Sequence, residues 1–123
     1  MKNRKIIFLD IDGTFTVPLE KPTPLAIEAV RKARENGHKV LLCTGRNMPI
    51  ISKDILKVGF DGVVASAGSH IEVDEKVIFD SLLAEEDVQE CMDILHKFGV
   101  YCRIEDPYGM YMDLEMEKLV KKA

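Results

Sequence analysis

The stretch Ile6-Ile7-Phe8-Leu9-Asp10-Ile11-Asp12-Gly13-Thr14 decides how the rest of the chain is read. Four apolar residues run into two carboxylates spaced i, i+2, and then into a glycine. An apolar run of this kind reads as a strand, Lys5 to Leu9, buried on both faces of a parallel sheet. Asp10 and Asp12 then stand at its C-terminal end, where open α/β sheets bind ligands. If the strand continued, the two carboxylates would share a face. Gly13 implies that it stops, so both can converge on one point. A carboxylate can attack phosphorus and form an aspartyl-phosphate. A second carboxylate can protonate the leaving oxygen and later activate water. A phosphate dianion repels a carboxylate nucleophile, so this chemistry calls for a divalent cation. Mg²⁺ suits a site with few protein carboxylates, because it keeps several waters.

Working outward, Thr23-Pro24 reads as an N-cap followed by proline at the first helical position. Ala26, Ala29, Val30 and Ala33 give that helix a small apolar face, and Asn36-Gly37 stops it. A second strand, Lys39 to Cys43, ends in Thr44-Gly45-Arg46. Thr44 offers a hydroxyl donor, Gly45 an unobstructed amide, and Arg46 a fork for phosphate oxygens. A helix with Pro49 in its first turn and Ile51, Ile55 and Val58 as its stripe leads to a third strand, Gly62 to Ser66. The order βαβαβ with short connections implies a parallel, Rossmann-like sheet with right-handed crossovers.

The pattern then changes. Ile71 and Val73, and Val77 and Phe79, alternate about Asp74-Glu75-Lys76, a hairpin with a three-residue loop. Ala84 to Phe98 reads as a helix with Val88, Cys91, Met92 and Leu95 on one face and Glu85, Glu86 and Asp87 where its dipole favours anions. Val100 to Glu105 and Met110 to Asp113 read as strands joined by a turn at Asp106-Pro107-Tyr108-Gly109. Leu114 to Ala123, with Leu119 and Val120, reads as a short terminal helix or frayed end.

The chain of 123 residues, 46% hydrophobic and 31% charged, has a globular composition and room for a core. A net charge of −4 argues against a nucleic-acid surface. No apolar run approaches the ~20 residues of a membrane span, and the basic N-terminus precedes too short an apolar stretch for a signal peptide. Cys43, Cys91 and Cys102 are odd in number and lack metal-ligand spacing, so they read as reduced, buried thiols of a cytoplasmic protein. His38, His70 and His96 have no evident partner and read as packing residues. So do the Met and Tyr residues over 108–112. Asp-x-Asp-Gly also opens Ca²⁺ loops, but Thr14 stands where an EF-hand needs its third ligand. No G-x-G-x-x-G follows the first strand, which argues against a dinucleotide module.

Asp10-Ile11-Asp12-Gly13-Thr14 resembles the first motif of the haloacid dehalogenase-like hydrolase superfamily, and Thr44-Gly45-Arg46 resembles its second. The layout from Ala65 through Asp113 is similar to the Cof-type branch with a type-IIB cap. In that branch the third strand runs into an Asn-Gly-Ala-like string, here Ala67-Gly68-Ser69, followed by a hairpin, a helix and two strands. The resemblance implies an α/β fold: a partial Rossmann-like core with a β-hairpin over residues 1–80, and the start of an α+β cap over 81–123. It implies a Mg²⁺-dependent phosphatase of small phosphorylated metabolites, often sugar phosphates. By motif, Asp10 would be nucleophile and metal ligand. Asp12 would be general acid/base, with its carbonyl on the metal. Thr44, Gly45 and Arg46 would hold phosphate, with Gly13 beside them.

Ala67 departs from the usual Asn, and Phe15 from the usual Leu. The family's third motif, a Lys, and its fourth, a Gly-Asp-x-x-x-Asp string, have no counterpart here. Lys118, Lys121 and Lys122 lie in a tail with no following strand and take no such role. The chain therefore reads as roughly the N-terminal half of a complete member, weak or inactive by itself. The competing reading is a non-catalytic module that binds Mg²⁺ or phosphate, or that pairs with itself or a partner through its open sheet edge.

Overall fold

The computed structural model describes residues 3–114 together with Lys118 and Lys121. Its elements in order are β1 (Ile6–Leu9), α1 (Pro24–Glu35), β2 (Lys39–Cys43), α2 (Lys53–Leu56), β3 (Gly62–Ala65), β4 (His70–Val73), β5 (Lys76–Asp80), α3 (Glu85–Lys97), β6 (Arg103–Glu105) and β7 (Met110–Met112). One sheet has the order β1-β2-β3-β4-β5, and β6 and β7 form a second, two-stranded sheet. β1, β2 and β3 are parallel, with Leu9 level with Leu42 and Cys43 level with Val64. β4 and β5 add antiparallel. The fold is thus α/β, with a Rossmann-like parallel core extended by a hairpin.

The core gathers Ile11, Phe15, Val30, Val40, Leu42, Ile51, Ile55, Val58, Val63 and Ala65. Phe15 stacks edge-on against Phe60 with ring centroids 5.3 Å apart, so the larger ring at position 15 has a partner that fills its space. α1 is capped as expected: the Thr23 hydroxyl accepts from the Ala26 amide, and Pro24 opens the helix. Its inward face is Ala26, Ile27, Val30 and Ala33, whereas Ala29 is exposed.

Several expectations need correction. β1 is not buried on both faces: Ile7 and Leu9 pack on the core, but Ile6 and Phe8 are 64% and 60% exposed. β1 is an edge strand, bonded only to β2 among the described residues. The helix expected after Pro49 is two short pieces, a 3₁₀ turn over Met48–Ile50 and α2. Ser52 interrupts them, because its hydroxyl accepts from the Ile55 amide and starts a new helix. Ile51, Ile55 and Val58 are nevertheless buried.

The β4–β5 loop has two residues, not three, since Val73 pairs with Lys76. Asp74 and Glu75 both take positive φ, 49° and 63°, the twist that a two-residue hairpin favours. β6 begins at Arg103, not Val100. In α3, Val88, Met92 and Leu95 are half-buried but Cys91 is exposed, and no residue of the helix is fully buried. Cys43 is also exposed and Cys102 half-buried, so the thiols are not core residues. Leu114 and Lys118 are helical, while Leu119 and Val120, on which the expected terminal helix rests, lie outside the described residues. No helix among the described residues is long and apolar enough to cross a membrane.

Candidate active site

Three strand ends meet on one edge of the core. After β1 the chain turns sharply: the amides of Thr14, Phe15 and Thr16 all approach the Ile11 carbonyl. Gly13, at φ 80°, supplies the left-handed residue this turn needs. The strand therefore stops where Gly13 implies, and Ile11 is driven fully into the core while Asp10 and Asp12 stay at the surface. The parallel register with β2 sets Thr44-Gly45-Arg46 beside them. The loop after β3 is tied to the same place, because the Ala67 amide donates to the Thr44 carbonyl and the Ser66 amide to the Arg46 carbonyl.

Arg46 is the strongest link. Its Nε and Nη2 donate to the two carboxylate oxygens of Asp12 at 2.9 and 2.5 Å. The fork that the sequence assigns to phosphate thus grips the second aspartate. The guanidinium holds the Asp12 carboxyl below its usual range, and Asp12 in turn raises Arg46. Thr44 is buried, and its hydroxyl accepts from the Arg46 amide at 3.1 Å, which fixes the start of the loop. A Cβ at Gly45 would meet nothing within 4 Å, so no neighbour requires a glycine there. Among the described residues, the Asp10 carboxylate makes no ion pair or side-chain hydrogen bond. Asp10 and Asp12 offer hard oxygen donors, the donor type that suits Mg²⁺.

A depression opens beside this edge, with Gly45, Ser66, Ala67 and Ser69 on the core side and Glu105 and Asp106 across from them. Asp10 and Asp12 lie outside it. Ala67 has φ 53°, a left-handed conformation that costs alanine and that asparagine adopts more readily. The departure from Asn at this position therefore carries a backbone penalty as well as a changed side chain.

Two residues near the site were not legible as such. Asn47 is fully buried, and its Nδ2 donates to the carbonyls of Asp106 and Gly109, both at 3.0 Å. It ties the turn between β6 and β7 to the loop that carries Arg46. An Asn after Arg46 has no periodic signal, and its partners lie about sixty residues away in sequence. His70, read as a packing residue without a partner, has two. Its Nδ1 lies 3.2 Å from Asp80 and its Nε2 2.9 Å from Glu72. Burial lowers its pKa, but the two carboxylates outweigh that and leave it raised. His96 also has a partner, Asp113 at 2.9 Å, and His38 Nδ1 accepts from the Lys5 amide.

The model of the haloacid dehalogenase-like hydrolase family matches residues 7–122. This chain belongs to that family. It is 42% identical over 43 residues to pyridoxal phosphate phosphatase YbhA of Escherichia coli (strain K12), a match covering 35% of this chain and 16% of YbhA. Its fold is similar to BT1666 from Bacteroides thetaiotaomicron, a phosphatase of the superfamily, with TM-score 0.79 and 25% identity over 96% of this chain and 46% of that one. It is also similar to the subclass IIB sugar phosphatase BT4131, with TM-score 0.75 and 27% identity over 97% of this chain and 48% of that one. The chain thus spans about half the length of these structures.

Proposed function

We propose that this chain carries the nucleophile-bearing part of a phosphatase site for small phosphorylated metabolites. The observation that carries this reading is the meeting of Asp10, Asp12, Thr44 and Arg46 at the C-terminal ends of two paired parallel strands. A carboxylate oxygen of Asp10 attacks phosphorus, and the ester P–O bond breaks. The leaving oxygen takes a proton from Asp12, and an aspartyl-phosphate remains on Asp10. Asp12 then accepts a proton from water as the water oxygen attacks phosphorus, which releases phosphate and restores Asp10. Thr44 and the Gly45 amide orient the phosphoryl oxygens. An incoming phosphate competes with Asp12 for the Arg46 fork, and this frees Asp12 to carry a proton. Asp10 and the Asp12 carbonyl would hold Mg²⁺, which when bound neutralises the charge between nucleophile and phosphate. The names of YbhA and BT4131 support small metabolites, a pyridoxal phosphate or sugar phosphate, as the substrate class.

These 123 residues hold no counterpart of the family's Lys or Gly-Asp strings, so turnover by this chain alone is slow. The test is Mg²⁺-dependent hydrolysis of an aryl phosphate, beside ¹⁹F detection of beryllofluoride, a mimic of the aspartyl-phosphate. Both signals are expected in the wild type and lost in Asp10→Asn. Signals equal in both proteins, or absent from both, would overturn the reading.

A second reading is favoured by the exposed Ile6 and Phe8 on an edge strand. It is a non-catalytic module that pairs with a second copy through β1. Light scattering distinguishes it: a dimer lost in Phe8→Lys, without phosphatase signals, supports pairing over catalysis.

A further inference from the structure

Apart from the carboxylates of the first loop, three metal-binding side chains converge at the end of α3, the start of β6 and the end of β7. His96 lies in the last turn of α3, Cys102 precedes β6, and Asp113 follows β7. The backbone brings them together by two devices. Gly99, at φ 68°, reverses the chain after α3, and the amides of Gly99 and Val100 close on the His96 and Leu95 carbonyls. This is the end typical of a helix that turns back. The antiparallel register of Arg103 with Met112 then sets Cys102 opposite Asp113.

The ligand atoms of the three residues lie within 4.8 Å of one another. Asp113 Oδ2 is the shared vertex, 2.9 Å from His96 Nε2 and 3.9 Å from Cys102 Sγ. Around a tetrahedral Zn²⁺, bond lengths to N, O and S imply ligand separations of about 3.3–3.5 Å. The observed pair distances bracket that range, so small side-chain rotations suffice. The Cys102 backbone amide also donates to Asp113 Oδ2 at 3.3 Å, which helps to orient the carboxylate. A shallow depression lined by His96, Gly99, Tyr101 and Met112 opens beside them and leaves room for water as a fourth ligand.

We propose that His96, Cys102 and Asp113 form a divalent-metal site of the zinc type. The donor set is mixed nitrogen, sulfur and oxygen, which selects Zn²⁺ over Mg²⁺. The site clips together three elements that have little core of their own, since no residue of α3 is fully buried and β6 and β7 have three residues each. A bound cation there acts as a structural staple. On uptake the thiol gives up its proton to solvent, the imidazole binds as the neutral ring, and no electron is transferred.

The test uses the full chain with Cys43→Ser and Cys91→Ser, which removes both exposed thiols and leaves Cys102 alone. Zn²⁺ is titrated calorimetrically in the presence of excess Mg²⁺, and Co²⁺ is added separately as a spectroscopic probe. One equivalent of Zn²⁺ is expected to bind and raise the melting temperature. Co²⁺ is expected to give a near-ultraviolet thiolate-to-cobalt band. The band should vanish in Cys102→Ser, and Zn²⁺ affinity should fall at least tenfold in His96→Gln and Asp113→Asn, yet hold in Asp10→Asn. NMR of the parent protein provides a readout free of unfolding by these variants: Zn²⁺ should shift the His96 and Cys102 signals first. Absence of stoichiometric binding, a cobalt band that survives Cys102→Ser, or Zn²⁺ shifts confined to Asp10 and Asp12 would overturn the proposal.

Discussion

Asp61 shows what one buried charge does for this fold. Its side chain is 5% exposed, and its oxygens accept from Arg34 Nε and Nη2, Lys39 Nζ and the Val40 amide at 2.9–3.0 Å. Arg34 also donates to the Gly59 carbonyl, so one guanidinium joins α1 to the turn before β3. Burial raises the Asp61 pKa, but these donors outweigh it and hold the group at about 2. The folded value lies below the unfolded one. The stabilisation is therefore complete above the unfolded pKa near 4 and is lost as pH falls toward 2. The expected contribution is about 2 kcal/mol. Urea denaturation of wild type and Asp61→Asn from pH 6 to pH 2 reads it directly. The stability gap between them should close as pH falls, and a gap independent of pH would refute the assignment. The same residue illustrates a limit of sequence reading. Nothing local to Asp61 marks it as a buried charge, because its partners come from α1 and β2.

At the scale of elements, the junction of β3 and β4 rests on one glycine. A Cβ at Gly62 would stand 2.5 Å from the Glu72 carbonyl oxygen, 3.1 Å from Leu41 Cδ2 and 3.2 Å from Val73 Cγ2. The nearest obstacle is backbone, which cannot rotate away. Gly62→Ala should therefore cost about 2 kcal/mol or more, because the hairpin must move off the parallel strands. A denaturation midpoint unchanged by the substitution would show that the strands separate more easily than their register implies. The existence and order of the strands, and the ends of α1, were legible here because they depend on local patterns: apolar runs and alternation, Thr23-Pro24, and Asn36-Gly37. The broken crossover at Ser52 and the two-residue hairpin were misread by a few residues. A hydroxyl cap and a left-handed Asp74-Glu75 pair compete with periodicity only once the backbone path is set.

For the molecule as a whole, Asn47 couples the two sheets. Its two donated bonds hold the turn between β6 and β7 against the loop carrying Arg46. Asn47→Ala removes both donated bonds and leaves the Asp106 carbonyl without its Asn47 donor, while the Gly109 carbonyl keeps the Asp106 amide, at a cost of about 1–3 kcal/mol. The expected sign is faster exchange of the Asp106, Tyr108 and Gly109 amides with β1 to β3 protected as before. Exchange unchanged in that turn would mean the second sheet is held by something else.

The sequence by itself determined the α/β class, the order of elements, the C-terminal position of Asp10 and Asp12, and the likeness that the family match bears out. Those follow from short-range chemistry: hydrophobic period, turn residues and a motif five residues long. Only the tertiary structure decided that β1 is a half-exposed edge, that Arg46 grips Asp12, that Asn47 spans to the second sheet, and that His96, Cys102 and Asp113 meet. Each depends on packing between segments distant in sequence, or on which strands pair among the described residues, and neither leaves a local pattern in the chain.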